Sequence, residues 1–281
     1  MSHKSVHQKW RLELFVKDRA DAASCRQFLQ ENGIKRVNIP NKHKGEDLVG
    51  ICQALQPNVD VCLHWSCKHQ HQHRSMDKSM KHMVQTMQIL HQQASAHSLL
   101  LVSGGGKRLK QFEACQVLDQ LHPKEPTYGR LPLQLPIHCA FNPYLEGEAA
   151  AEERQRLQKK LQAGVAGVYL QIGTDTVKLA EGLDFLRNCT KGADQLQLHG
   201  SVLLPTRKLL AQMTFRPWSG VVLSKKFFTS VETANSLIAQ VMRTYARYGV
   251  VPVIESPVSN SSELRRVHDL LDLYDHACGQ H

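Results

Sequence analysis

Long hydrophobic runs are missing from this chain. Stretches such as SLLLV at 98–102 fall far short of the ~20 apolar residues that span a bilayer, and no secretory apolar segment follows Met1. The expectation is therefore a protein without a membrane span, placed in the cytosol with the mitochondrial matrix as the alternative. Aromatic residues are scarce at 6% and form no stacking array, which argues against a nucleic-acid partner. Several chemistries lack their motifs: there is no Walker loop, no GxGxxG, no HExxH and no serine nucleophile elbow. Disulfide staples are not expected either. The eight cysteines, at 25, 52, 62, 67, 115, 139, 189 and 278, are scattered, a distribution that suits reduced thiols.

What the chain does have is a normal stock of core residues, 42% hydrophobic against 21% charged, enough for a folded interior. Its net charge of +10 is spread along the chain. A small molecule bearing phosphates or carboxylates satisfies that charge as well as a polymer would. Monomer and homo-oligomer both remain open.

The dominant pattern is a repeated order of short apolar run, turn and amphipathic stretch. Strand-like segments at 10–16, 34–40, 59–65, 98–102, 133–141, 166–172, 196–205 and 250–256 each precede a stretch with helical spacing. These helices are expected near 20–32, 46–56, 77–96, 108–121, 148–163, 175–189, 206–213 and 261–276, with an additional one at 231–248 after the long segment 215–230. Strict alternation predicts a parallel sheet. Eight units in 281 residues, close to the roughly 250 typical of the architecture, predict an α/β eightfold βα (TIM) barrel. It would be a single domain spanning 1–281 with its core at about 10–276, an open doubly wound sheet being the competing topology.

In such a barrel the residues just past each strand converge on one face. Here they are Glu13 and Phe15, Asn38 and Pro40, His64 with Trp65, Ser103 to Gly106, Phe141 with Asn142, Gln171, Pro205 to Lys208 and Glu255. A carboxylate, a histidine, an amide, a glycine loop and aromatics together suit a large planar ligand. Glu13 sits inside the apolar LELF segment, where desolvation would raise its pKa toward the range of a general acid. It could instead face outward or pair with a Lys or Arg. The SGGGKR loop at 103–108 suits a phosphate or a flavin edge through its backbone N–H groups, and equally a plain turn. Cys62, His64, Cys67, His69, His71 and His73 are all potential metal ligands, but their spacing fits no closed zinc pattern, so no metal is assigned. Cys25, Cys52 and Cys115 read as core residues of amphipathic helices.

Several segments, taken in order, resemble the flavin-binding catalytic barrel of the methylenetetrahydrofolate reductase family. RLELF at 11–15 is similar to the opening strand of that family, CLHWSC at 62–67 to its third, and IHCAFNPY at 137–144 to its fifth. EERQRLQKKLQAGVAGVYLQIGTD at 152–175 is the best match, and GSVLLPTRK at 200–208 follows it. The resemblance implies noncovalent FAD, reduced by NADH or NADPH, with hydride passed to a methylene folate. It implies Glu13 as the general acid that assists opening of the folate ring and Gln171 as the amide contacting the folate. His64, Phe141 and the backbone of Ser103, Gly104 and Gly105 would line the flavin; Glu153 and Lys160 would bind its ribose and diphosphate. The chain departs from the family where an Arg-Gly-Asp ends the fourth strand, since Ser103-Gly104-Gly105 stands there. A catalytically weakened barrel that binds flavin or folate and acts as a regulatory partner is the alternative.

Overall fold

The computed structural model describes residues 9–43, 45–70, 75–94, 96–104, 112–121, 135–191 and 196–279. Its strands are β1 (Arg11–Glu13), β2 (Arg36–Ile39), β3 (Asp60–Ser66), β4 (Ser98–Val102), β5 (Ile137–Phe141), β6 (Gly167–Leu170), β7 (Gln197–Val202) and β8 (Val251–Ile254). They form a closed barrel in sequence order, every neighbouring pair parallel and β8 returning to β1. Outside it run α1 (Arg19–Glu31), α2 (Leu48–Leu55), α3 (Cys67–Gln70), α4 (Met76–Ala94), α5 (Ala114–Leu121), α6 (Gly147–Gln162), α7 (Thr176–Cys189), α8 (Arg207–Phe215), α9 (Val231–Tyr248) and α10 (Ser261–Cys278). Among the described residues no helix is long and apolar enough to cross a membrane.

The alternation of side chains along each strand divides the interior in two. Leu12, Val37, Leu63, Leu99, Leu101, Val168, Leu170 and Ile254 belong to the large apolar cluster between sheet and helices, all at most 1% exposed. Cys62, Leu100, Tyr169 and Val253 form a separate, smaller cluster on the barrel axis. An apolar axis of this size leaves room for polar side chains, and Arg11, Asn38, His138 and His199 occupy it, each no more than 3% exposed. Arg11 is spent there: Nε donates to Asn38 Oδ1 at 2.6 Å, and the terminal nitrogens bond Asp60 and the Val37 carbonyl.

Helices begin where short polar side chains accept orphan backbone N–H groups. Asp175 accepts from Val177 and Lys178 at the start of α7, and Ser230 and Asn260 cap α9 and α10 in the same way. Gly249, at φ +69°, ends α9 in the left-handed conformation that a residue with a Cβ adopts at a cost.

The eight strands fall where hydrophobic periodicity placed them, six of them with narrower limits. β1 spans Arg11–Glu13 within the expected 10–16, and β7 stops at Val202, before Leu203 to Pro205. β3 runs one residue past the expected 65, to Ser66, and α3 follows at once and buries Cys67 and Gln70. His71 and His73 lie outside the described residues, as does the expected start of α5 near 108. The long segment 215–230 contains a 3-10 turn at Lys225–Phe228 and a bridge from Val222 to Gly173. That bridge folds the segment over the carboxyl ends of β5 and β6.

Candidate active site

A cavity of about 630 Å³ opens at the carboxyl-terminal mouth of the barrel. Its volume is that of a typical small-molecule site. Of the nine residues singled out in the sequence, eight line it: Glu13, His64, Ser103, Gly104, Phe141, Glu153, Lys160 and Gln171. The ninth, Gly105, lies outside the described residues, together with Lys107 and Arg108.

The floor is closed by rings on the axis. Tyr169 stacks on His199 with centroids 4.3 Å apart, and His138 meets both edge-on. Burial pushes the His138 imidazole down to about 4 and His199 well below the usual histidine range, so both are neutral. Above them stands His64. Burial, with the positive charges of Lys42 and Arg11, lowers it to about 3. Its tautomer follows from its neighbour: Asn38 Oδ1 already accepts from Arg11 and Tyr169, so Asn38 Nδ2 donates to His64 Nε2 at 3.3 Å. The proton is therefore on Nδ1.

Glu13 faces the axis and not outward, and among the described residues it forms no ion pair with a Lys or Arg. Its carboxyl makes no hydrogen bond among the described residues. Burial, then the nearby charge of Glu255, raises its pKa well above the usual carboxylate range, Lys42 acting in the opposite sense. It is 7% exposed, and its remaining surface opens into the cavity. Gln171 is held by its own turn: Oε1 accepts from the Ile172 N–H at 2.9 Å. The amide NH2 is left beside Gly220, where a Cβ would come within 3.3 Å of it.

The opposite wall is more self-contained. Lys160 is 7% exposed, donates to the Ala140 carbonyl at 2.7 Å and lies 3.8 Å from Glu153. Glu153 also accepts from Arg156 Nε at 2.9 Å and from the Asn142 N–H at 3.2 Å. Ser103 Oγ accepts from the Ala114 N–H and so caps α5. Gly104, at φ +84°, passes where a Cβ would stand 2.8 Å from Ser66 Oγ and from Lys68 Cβ. Phe141 reaches the wall, but its ring is 2% exposed and packs toward α7, where a Cβ on Gly182 would meet it at 3.3 Å. Ala140 and Tyr169, in register with one another on β5 and β6, line the same cavity.

Glu255, placed at a strand end by the sequence, also lines the cavity, and Lys42, Cys115, Tyr169, Ser201, Ser219 and Gly220 join it without having been singled out as site residues. Tyr169 had a usable signal, being two residues before Gln171 and so on the same face. Lys42 had none, because it enters from a loop. Cys115 is half-buried and lines the cavity, where a wholly buried core position was expected. Cys52 is buried, with its thiol pushed up to about 12 by that burial. All eight cysteines are free, and among the described residues no group of three His, Cys, Asp or Glu side chains could hold a metal ion. Compared with protein-family models and with curated proteins, the chain matches none.

Proposed function

We propose that the chain is an FAD-dependent oxidoreductase resembling methylenetetrahydrofolate reductase, acting on 5,10-methylenetetrahydrofolate with NADH or NADPH as donor. The observation that carries this is the convergence on one mouth cavity of a buried carboxyl, Glu13, with two groups that offer N–H donors, His64 and Gln171. The residues present fit a planar heterocycle. Leu100, Val102 and Ala140 supply apolar wall, and Gly104 and Gly220 leave space on two sides. Lys160 would hold the diphosphate through the N–H left over after Ala140, since an ammonium has three donors, and Glu153 would reach the ribose.

A bound flavin would supply hydride transfer between the nicotinamide and the folate. The chain's own groups do the rest. Glu13 gives its proton to the folate nitrogen that leaves the bridging carbon, a step for which a carboxyl kept neutral near pH 7 is suited. Gln171 orients the pterin by donating to a ring acceptor, and the His64 Nδ1–H donates toward the heterocycle above it. Turnover of methylene folate with each nicotinamide, for wild type and Glu13→Gln, tests the assignment. Folate-dependent oxidation that Glu13→Gln abolishes supports it; oxidation indifferent to both folate and Glu13 overturns it.

One observation favours the second reading, a barrel that binds without turning over. Glu153, Arg156 and Lys160 already satisfy one another, and β4 ends at Val102 and is followed by Ser103 and Gly104, without a carboxylate. Stoichiometric flavin or folate binding with no nicotinamide oxidation would establish it.

A further inference from the structure

The pairing of β1 with β8 places a second carboxylate against Glu13. Arg11 is in register with Val253 and Leu12 with Ile254, so the next pair along the two strands is Glu13 with Glu255. Parallel strands lie about 4.8 Å apart, and both residues line the floor of the mouth cavity. One strand further round, the Ser201 hydroxyl donates to Glu255 Oε1, while the Glu255 N–H donates to the Val202 carbonyl at 2.9 Å. Glu13 at the end of β1 and Glu255 just past β8 therefore stand level, and Ser201 of β7, in register with Val253, reaches Glu255 through its hydroxyl.

Two carboxylates so placed cannot both ionise cheaply without a cation between them. Arg11, on the same face of β1, is fully engaged below by Asn38, Val37 and Asp60. The ammonium of Lys42 is the cation near both, and it sits at the exposed rim over the Phe15 ring, 3.7 Å from its centroid. The other titratable groups facing the floor carry no charge. His64 is neutral at about 3, lowered by burial and by the nearby cations, and burial raises the Tyr169 phenol well above its usual range. Glu153, Arg156 and Lys160 on the far wall pair among themselves.

We propose that Glu13 and Glu255 share one proton, that Ser201 and Lys42 hold the negative charge on Glu255, and that Glu255 is thereby the positioning residue that keeps Glu13 a proton donor. The asymmetry comes from the hydrogen bonds. A donor to a carboxylate favours its charged form, and Glu255 has one in Ser201, whereas Glu13 has none among the described residues. The directions agree: burial raises both and Lys42 opposes the rise at both, but Ser201 opposes it at Glu255 alone, and Glu13 stands the further above the usual range. When Glu13 passes its proton to a ligand nitrogen, its O–H bond breaks and an N–H bond forms. The two carboxylates then repel, and Glu13 recovers a proton from solvent.

This inference rests on the proposed role of Glu13 as general acid, yet its test needs neither flavin nor folate. The chain is labelled with carboxyl-13C glutamate, and the Glu13 and Glu255 signals, assigned by Glu13→Gln and Glu255→Gln, are followed against pH. In Glu255→Gln the Glu13 titration falls by about two pH units, the effect of removing a unit charge some 5 Å away at an effective dielectric of ~20. In Ser201→Ala, which removes only the donor, the Glu255 titration rises and that of Glu13 falls as the proton shifts across. A Glu13 titration that does not move in Glu255→Gln overturns the proposal. Should that variant not fold, unmoved titrations in Ser201→Ala overturn it equally. A colourless protein whose titrations move as stated would remove the reductase assignment and leave the proton-sharing pair standing.

Discussion

Replacing Lys160 by Met separates what that residue does for the fold from what it does for a ligand. The ammonium donates to the Ala140 carbonyl at 2.7 Å and sits 3.8 Å from Glu153. Losing a charge-assisted hydrogen bond costs about 1.5–3 kcal/mol, but the Met side chain refills nearly the same space. Glu153 is not stranded, since Arg156 Nε and the Asn142 N–H still reach it. The expected loss of stability is therefore about 1–2 kcal/mol, at the low end for a buried charged partner. The ligand effect is separate. If the remaining N–H meets a diphosphate, its removal weakens FAD by about 1.5–3 kcal/mol, or roughly 10- to 150-fold in Kd. Quenching of flavin fluorescence measures both FAD and riboflavin, which lacks phosphate. FAD weakened and riboflavin unchanged is the expected result. Equal weakening of the two, or an unchanged FAD affinity in a folded variant, would refute the placement of the phosphates at Lys160.

Other outcomes follow from the same geometry. Glu13→Gln should lower turnover on the order of 100- to 10,000-fold, the usual contribution of a general acid. It should also change the pH dependence of stability. Because burial and Glu255 hold the folded pKa of Glu13 above its unfolded value, its stabilising contribution is full below the unfolded pKa and is lost as pH rises through the raised value. Denaturant unfolding should thus find Glu13→Gln more stable than wild type on the alkaline side, and equal stability there would contradict the burial. Arg11→Met should destabilise the barrel by about 3–5 kcal/mol, because it leaves Asp60 with Arg36 alone and Asn38 Oδ1 with only the longer bond from Tyr169; a loss below ~1 kcal/mol in chemical denaturation would show that the axis network is not structural. Gly200→Ala should cost about 1–3 kcal/mol, since the added Cβ would fall 2.3 Å from the buried ring of Tyr245; a thermal midpoint equal to wild type would mean that α9 can shift away.

Strand positions were legible because the outward residues of β1 to β8 are apolar and the runs are short, bounded by turns. Closure into a barrel was legible from the count of units. What periodicity could not supply was the axis. Arg11, Asn38, His138 and His199 look like ordinary polar interruptions in a strand, and only closure shows that they stack below a cavity. The site was partly legible for the same reason: Glu13, His64 and Gln171 lie on strands or directly after them, so a strand register locates them. Phe141 reaches the cavity wall together with its neighbour Ala140, which strand register alone does not single out. Lys42 and Gly220 come from loops whose return to the mouth depends on tertiary contacts, such as the Asn142 Nδ2 bond to the Gly220 carbonyl. The proximity of Glu255 to Glu13 required the β8 to β1 closure, a contact between opposite ends of the chain.

The central claim is that the mouth cavity is a flavin site, and titrating the purified chain with FAD tests it most directly. Saturable binding of one FAD per chain, with quenched fluorescence and a perturbed visible band that Gly220→Trp abolishes, is the predicted result. A folded, colourless chain that leaves the FAD spectrum unchanged at every concentration would contradict it.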